Sequence, residues 1–382
     1  MLERLVSFDT TSRHCNLEMI SFIEEYLQSH DIRSQRFDHV PGCKTNLFAT
    51  IGPAIGGIAL SGHTDVVPVD GQPWSTDPFR LTARGNRLYG RGACDMKGFI
   101  AAALSLIPQF KAQPLLTPIH LAFSCDEEIG CRGVKPMLEG IRTAGPLPRV
   151  AIVGEPTSMR MIDAHKGSVT LVTEVTGAEA HSSDPMRGVN AITFAARLIG
   201  DLESQAAKLR SRKNNSGRFS PPYSTLHVGL VSGGTVKNVV PRTCKITWEV
   251  RPLPGTNDMS EVRQQLAEAE HRLELEMQAM APGAGIKTTV INEVPGLEPM
   301  VESPVKRAIL HLARSSETAT ASFATEAGLF QAAGVPALVC GPGNIEQAHR
   351  ADEFIEREQL DRCVRFMMDL SDYCASEALP PA

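Results

Sequence analysis

Four times in this chain a run of apolar residues stops abruptly at an acid or a histidine: IALSGHTD at 58–65, LYGRGACDMKG at 88–98, IHLAFSCDEE at 119–128 and VAIVGEP at 151–156. Short runs without alternation, bounded by polar turns, read as strands buried on both faces. They interleave with helical periodicity. Leu17, Ile20, Ile23 and Leu27 mark one face of an opening helix, and an Ala-rich, almost wholly apolar helix is expected near 97–109. Strands are expected near 47–51, 57–61, 118–124, 149–153 and 336–340. Ser303 followed by Pro304 has the form of an N-cap with proline at the first helical position, and a last helix is expected over 357–375. Alternating strands and helices predict an α/β fold with a mostly parallel sheet covered on both faces.

The pattern changes in the middle of the chain. Segments 168–176, 226–231 and 244–250 alternate as half-exposed strands do, with helices expected near 189–207 and 258–278. This predicts an α+β domain at 168–289 inserted into a catalytic domain formed by 1–167 and 290–382. A chain of 382 residues with 42% hydrophobic composition has material for two cores, because single cores stop growing near ~250–300 residues. The polar stretch 211–224, rich in Gly, Pro and Ser, predicts a mobile loop inside the insert.

Composition narrows the partners. A formal net charge of -5, with basic residues scattered apart from Arg210, Arg212 and Lys213, argues against a phosphate-tracking surface and so against nucleic acid. No apolar stretch approaches the ~18 residues of a membrane span, and the start MLERLVSFDTTSR has none of the features of a secretory signal. A cytoplasmic protein with no membrane partner is the expectation. Nine cysteines, odd in number and without a C-x-x-C pair, argue against a disulfide framework and for mostly buried thiols.

Ligands of open α/β sheets collect beyond the carboxyl ends of the strands. His63, Glu127, Glu128 and Glu155 each follow a strand candidate within about four residues, and Asp95 lies in a turn flanked by Gly90, Gly92 and Gly98 that lets backbone approach a ligand closely. A fifth ending, QAHRADE at 347–353, supplies His349. Imidazole and carboxylate suit divalent metal ions, and two like-charged ions ~3.5–4 Å apart need a bridging carboxylate and a base for the shared water. Of the adjacent Glu127 and Glu128, one can bind metal while the other takes a proton. Asp65, two residues beyond His63, is the candidate for orienting that imidazole. Each residue has a plainer reading: His63 as a structural histidine, the Glu pair as a solvated turn, Glu155 as a loop charge. Their joint placement outweighs these, because charged groups are scarce at buried strand ends unless paired or metal-bound. The glycines around 90–92 do not complete a dinucleotide fingerprint, and G-x-S-x-G, H-E-x-x-H and G-x-x-x-x-G-K-[ST] do not occur.

SGHTDVVP, GRGACDMKG, CDEEIG, GEPT and the late AH of QAHRADE resemble, in order, the metal and catalytic signatures of the M20 metallopeptidase family. The resemblance spans nearly the whole chain. It implies metal ligands at His63, Asp95 (bridging), Glu128, Glu155 and His349, with Glu127 as general acid and base and Asp65 behind His63. It also implies two divalent ions, Zn2+ foremost with Co2+ or Mn2+ as alternatives, and a lid that pairs two subunits into a homodimer. GAEAHSSDPMRGVNAI at 177–192 is similar to the family's lid motif, so His181 is the candidate for stabilising an oxyanion; its plainer reading is an exposed loop histidine. GGTVKNVVPR and WEVRPLPG resemble the segments that offer Asn238 and Arg251 to a substrate carboxylate. FDTTSR, SFATEAGLFQ and CGPGNIEQAHRADEF are closer to the branch that removes the acetyl group from N-acetyl-L-ornithine than to the desuccinylases. They make Thr325 a candidate substrate contact, with a helix N-cap as its alternative. A small-molecule N-acyl amino acid is thus the expected substrate. Another deacylase, a dipeptidase, a metal protein without turnover and a cofactor-dependent transferase are the competing readings.

Overall fold

The computed structural model describes residues 1–53, 55–145, 147–212 and 217–379. The chain divides into two compact units, one of Met1–Ala164, Leu297–Thr320 and Thr325–Ala382, the other of His165–Gly296 and Ala321–Ala324.

The first unit carries an eight-stranded sheet whose four central strands, in the order Ile119–Ser124, Ile58–His63, Val150–Pro156 and Ala337–Gly341, run parallel. Every residue of these four is buried, which accounts for the unbroken apolar runs: a strand covered on both faces has no solvent side to make polar. Antiparallel neighbours flank them. Lys44–Ile51 pairs with Ile119–Ser124, Ser34–Val40 pairs with Lys44–Ile51, and Ile162–His165 borders Ala337–Gly341. The sheet is therefore mixed, with its parallel part at the centre.

The helix after Asp95 spans Lys97–Ser105, and a second, Ile107–Lys111, follows a break at Leu106. The proline at 108 cannot continue the ladder of the first helix and sits instead in the first turn of the second. Ser303 caps Pro304–Leu312 by accepting the Lys306 N–H at 3.2 Å, and the last helix is Arg357–Ser376. A further small sheet joins Thr82–Arg84, Arg87–Tyr89 and Phe354–Glu356, so the chain just before Asp95 is zipped antiparallel to the chain just after His349.

The second unit has a four-stranded antiparallel sheet in the order Thr225–Gly233, Thr243–Arg251, Ser168–Thr176, Gly285–Val294. Helices Ala191–Ser211 and Asp258–Met280 share one core with its inner face, where Trp248 is buried and donates its indole N–H to Thr173 Oγ1 at 3.0 Å. The fourth strand, GIKTTVINEV, is additional to the three expected ones. Lys287, Thr289 and Glu293 occupy outward positions and dilute its apolar signal.

One expectation, the absence of disulfides, needs correction. Cys15 and Cys43, 28 residues apart, form a disulfide, whereas the other seven cysteines are free and buried. Of the stretch 211–224, residues 213–216 lie outside the described residues. The described part is anchored: Phe219 is buried, and Ser224 Oγ accepts the Leu253 N–H at 2.8 Å.

Gly154, immediately before Glu155, shows how tightly the helix after Asp95 packs on the sheet. A Cβ there would stand 2.1 Å from Cγ of Phe99. Gly154→Ala should therefore lower stability by about 1–3 kcal/mol. Gly200→Ala, in an exposed helix position with nothing within 4 Å of an added Cβ, should raise it by about 0.5–1 kcal/mol. Urea unfolding of the two variants measures both, and equal midpoints would contradict the packing described.

Candidate metal centre

The central strands end where the chemistry begins. His63 is the last residue of Ile58–His63, Glu155 lies at the end of the adjacent parallel strand, and Glu127 and Glu128 follow the strand on the other side by three and four residues. Asp95 precedes the buried helix Lys97–Ser105, and its peptide bond to Met96 is cis. His349 sits in the loop after Ala337–Gly341, with a positive φ of 64°.

The side chains converge as two groups that share one carboxylate. Asp95 Oδ1 is 3.0 Å from His63 Nε2, which lies 3.9 Å from Glu155 Oε1. Asp95 Oδ2 is 3.3 Å from His349 Nε2, which lies 3.0 Å from Glu128 Oε2. Each group offers three ligand atoms within 4.8 Å of one another. One oxygen of Asp95 thus faces each group, as a carboxylate must do to serve two cations at once.

Electrostatics asks for those cations. Burial pushes Glu155 well up from the ordinary carboxylate range, with the charge of Asp95 adding to the effect. Burial and Asp95 raise Glu128 to about 8. Glu127 is raised to about 7 by burial, which outweighs the opposing charge of His63. Against its burial, Asp95 is held below its usual value by hydrogen bonds from His349 and His63. Donating to Asp95 and to Glu128 raises His349 to about 10. Among the described residues, Glu128 Oε1 and Glu155 Oε1 are buried with no hydrogen-bond partner. Buried carboxylate oxygens without donors fit a cation that fills the place of the missing partner, and the mixed oxygen and imidazole donor set suits zinc, cobalt or manganese.

Asp65 works differently from the expected carboxylate–histidine contact. His63 Nδ1 lies 2.9 Å from the Asp65 backbone carbonyl and 3.7 Å from the nearer carboxylate oxygen. The carboxylate instead accepts the backbone N–H of Glu127 at 3.0 Å, that of Glu128 at 3.2 Å and the Ser12 hydroxyl at 2.7 Å. It fixes the turn that carries both glutamates. Asp126 in that turn has a positive φ of 53° and pairs with Lys44, which also donates to Ser12 O.

Of the other candidates, Thr325 is fully buried and its hydroxyl accepts the Ala327 N–H at 3.1 Å, a helix-start role. His181, Asn238 and Arg251 belong to the second unit. There His181 bridges Val239, Ser182 N–H donates to Asn238 O at 3.1 Å, and the exposed His181 and Asn238 are thereby neighbours. The guanidinium of Arg251 lies 3.2 Å from Glu249.

Three further residues bear on the centre. Cys131 donates its thiol to Glu127 Oε1 at 3.2 Å. Glu326 is a further buried acid whose charge adds to the upward shift of Glu127. Glu353 accepts the backbone N–H groups of Gly92, Cys94 and Asp95. Glu353, the last acid of QAHRADE, and Glu326, beside Thr325 in SFATEAGLFQ, both lie within motifs already singled out, whereas Cys131 falls one residue beyond CDEEIG.

Residues 59–372 match the model of peptidase family M20/M25/M40. The chain is 34% identical over 372 residues to the acetylornithine deacetylase of Proteus mirabilis (strain HI4320), covering 97% of this chain and 93% of that protein. It is 36% identical over 377 residues to the acetylornithine deacetylase of Myxococcus xanthus, covering 95% and 93%. Among solved structures, the M20 family metallo-carboxypeptidase Sso-CP2 from Sulfolobus solfataricus is similar with a TM-score of 0.76 at 17% identity, covering 98% of each chain. The YXEP protein of Bacillus subtilis, described as a dinuclear metal binding peptidase from the M20 family, has a TM-score of 0.63 at 18% identity, covering 97% of this chain and 95% of that one. At these identities the two structures establish the fold.

Metal uptake should release protons. The upward shifts of Glu128 and His349 favour their protonated forms in the metal-free chain, and protons on these groups must leave for a cation to bind. Apparent affinity should therefore rise as pH rises toward and through 8. Calorimetric titration in two buffers of different ionisation enthalpy measures the release. A flat pH dependence with no proton transfer to buffer would contradict the electrostatics described.

Proposed function

Because the chain belongs to peptidase family M20/M25/M40, and is a hydrolase of that family, we propose that it removes the acetyl group from N-acetyl-L-ornithine, giving ornithine and acetate. The single observation that carries the catalytic part is the division of Asp95, one oxygen toward His63 and Glu155 and the other toward Glu128 and His349. The substrate is supported by relatives of that name at 34% and 36% identity over nearly the whole chain.

His63, Asp95 and Glu155 would hold one divalent ion and Asp95, Glu128 and His349 a second, zinc foremost with cobalt or manganese as alternatives. Bound there, the ions would supply Lewis acidity to the amide carbonyl and lower the pKa of water. The chain's own residues supply the rest. Glu127 Oε1 accepts the Cys131 thiol, which leaves Oε2 to take a proton from water and to return it to the departing α-amine. Asp65 holds the backbone of Glu127, and so the direction in which that carboxylate points. In this reading His181 donates to the oxyanion of the tetrahedral intermediate. Asn238 and Arg251 receive the substrate carboxylate, Arg251 exchanging its Glu249 partner for it. Thr325 acts from its buried position on the turn that precedes Ala327–Ala332. The inserted unit serves as lid and as the surface through which two subunits pair, and the enzyme works in the cytoplasm in arginine biosynthesis. Among the described residues no helix is long and apolar enough to cross a membrane.

Glu127→Gln should keep its metal-to-protein ratio and lose about a hundred- to ten-thousand-fold in kcat; undiminished turnover would remove Glu127 as the base. Assayed side by side, N-acetylornithine should exceed N-acetylcitrulline, N-succinyl-diaminopimelate and dipeptides in kcat/KM, and a faster rival would replace it as the substrate. Light scattering should find twice the chain mass, and a monomer would dismiss the pairing.

A further inference from the structure

The two groups around Asp95 are not built alike. His63 and Glu155 project from adjacent buried strands, and His63 is 1% exposed. His349 belongs to no strand or helix, has a left-handed backbone and is 53% exposed. A loop residue with φ of 64° keeps its place only if its surroundings impose it. Those surroundings centre on Glu353 and Arg91, a charge pair in which each side chain is 1% exposed, with 2.7 Å between Arg91 Nη1 and Glu353 Oε2.

Glu353 faces the Asp95 loop. Its Oε2 accepts the Gly92 N–H at 3.1 Å, and its Oε1 accepts the N–H groups of Cys94 at 2.8 Å and Asp95 at 3.1 Å. Arg91 faces the His349 loop, donating to Arg350 O at 3.3 Å and to Gln72 Oε1 at 2.5 Å. Gln72 completes the circuit by donating from Nε2 to His349 O at 2.9 Å. The small sheet closes just outside, pairing Tyr89 with Phe354. Asp95 and His349 are thus tied to each other through this pair as well as through their own side chains.

We propose that Arg91, Glu353 and Gln72 are positioning residues that set the spacing of His349 from Asp95, and that they govern occupancy of the metal position formed by Asp95, Glu128 and His349 more strongly than that of the one formed by His63, Asp95 and Glu155. This rests on the reading of the two groups as a dinuclear centre. Holding a ligand through its backbone and its neighbours commonly contributes about ten- to a hundred-fold in metal affinity. Gln72 touches His349 without touching Asp95, so its loss should act on one position alone.

The test uses the full-length protein loaded with two equivalents of Co2+ and challenged with increasing chelator, following the visible absorption of bound cobalt and the residual metal-to-protein ratio. Wild type should lose its ions in two steps, and His349→Ala should hold only the more tightly bound one. Gln72→Ala should lose the weaker ion at about tenfold lower chelator and the tighter ion at an unchanged concentration. Glu353→Gln, which also releases the backbone of Asp95, a ligand in both positions, should weaken both steps with the larger loss at the weaker ion, and Glu353→Asp should recover part of that loss. Because Glu353→Gln leaves a buried guanidinium uncompensated, the half-buried Gln72→Ala is the variant that keeps the test decisive if the other fails to fold. Wild-type release of both ions from Gln72→Ala would overturn the proposal, and so would equal weakening of both steps, which marks a general structural role. A wild-type protein that never takes up a second ion, with His349→Ala indistinguishable from it, would overturn the dinuclear reading itself and this proposal with it.

Discussion

Carboxylates packed together out of water repel one another and lose hydration, and the first unit is arranged so that Asp95, Glu127, Glu128 and Glu155 stay together nonetheless. Desolvation is the largest influence on each of them. The fold counters it with rigid placement. Central parallel strands deliver His63 and Glu155 side by side, Asp65 accepts two backbone N–H groups from the turn bearing Glu127 and Glu128, and Glu353 accepts three from the loop bearing Asp95. Two buried acids outside the two ligand groups are thus spent on holding backbone.

Retention of the Arg91–Glu353 pair makes the same point through magnitudes. Removing one partner of a buried ion pair costs about 3–5 kcal/mol, whereas replacing both with well-packed apolar groups is often neutral or stabilising. Such a pair is therefore a weak device for stability. What it does supply is direction, because a carboxylate with two acceptor oxygens and a guanidinium with a planar fork constrain orientation as apolar side chains do not.

Much of this was legible in the sequence because two simple rules apply at the centre of the sheet. Strands buried on both faces read as unbroken apolar runs whose ends carry the chemistry, so His63, Glu127, Glu128 and Glu155 could be gathered before any coordinates, with Asp95 in its glycine-flanked turn and His349 in QAHRADE beside them, while the family resemblance alone divided ligands from base. The edges were harder to read. Ser34–Val40, with the sequence SQRFDHV, is partly exposed and has no apolar run, and Gly285–Val294 presents Lys287, Thr289 and Glu293 outward. The Cys15–Cys43 disulfide has no local spacing signature. The task of the Asp65 carboxylate was hidden for another reason: spacing from His63 suggested a side-chain contact, whereas the backbone carbonyl sits nearer and frees the carboxylate for Glu127 and Glu128. Backbone-holding roles of this kind depend on partners up to hundreds of residues away, as with Glu353 and Asp95, and no periodicity reports them.

The long segment of the second unit, His165–Gly296, begins and ends at one place. A Cβ on Gly296 would lie 3.0 Å from His165 O and 3.1 Å from Gly167 N, so the two ends of a segment more than a hundred residues long are in contact. Its sheet and helices share a core of their own. A module spliced in through touching ends can diverge, lengthen or be exchanged without moving the strands on either side of the splice. Changes confined to that module therefore leave the residues around Asp95, which rest on the first unit's own sheet, free to stay as they are.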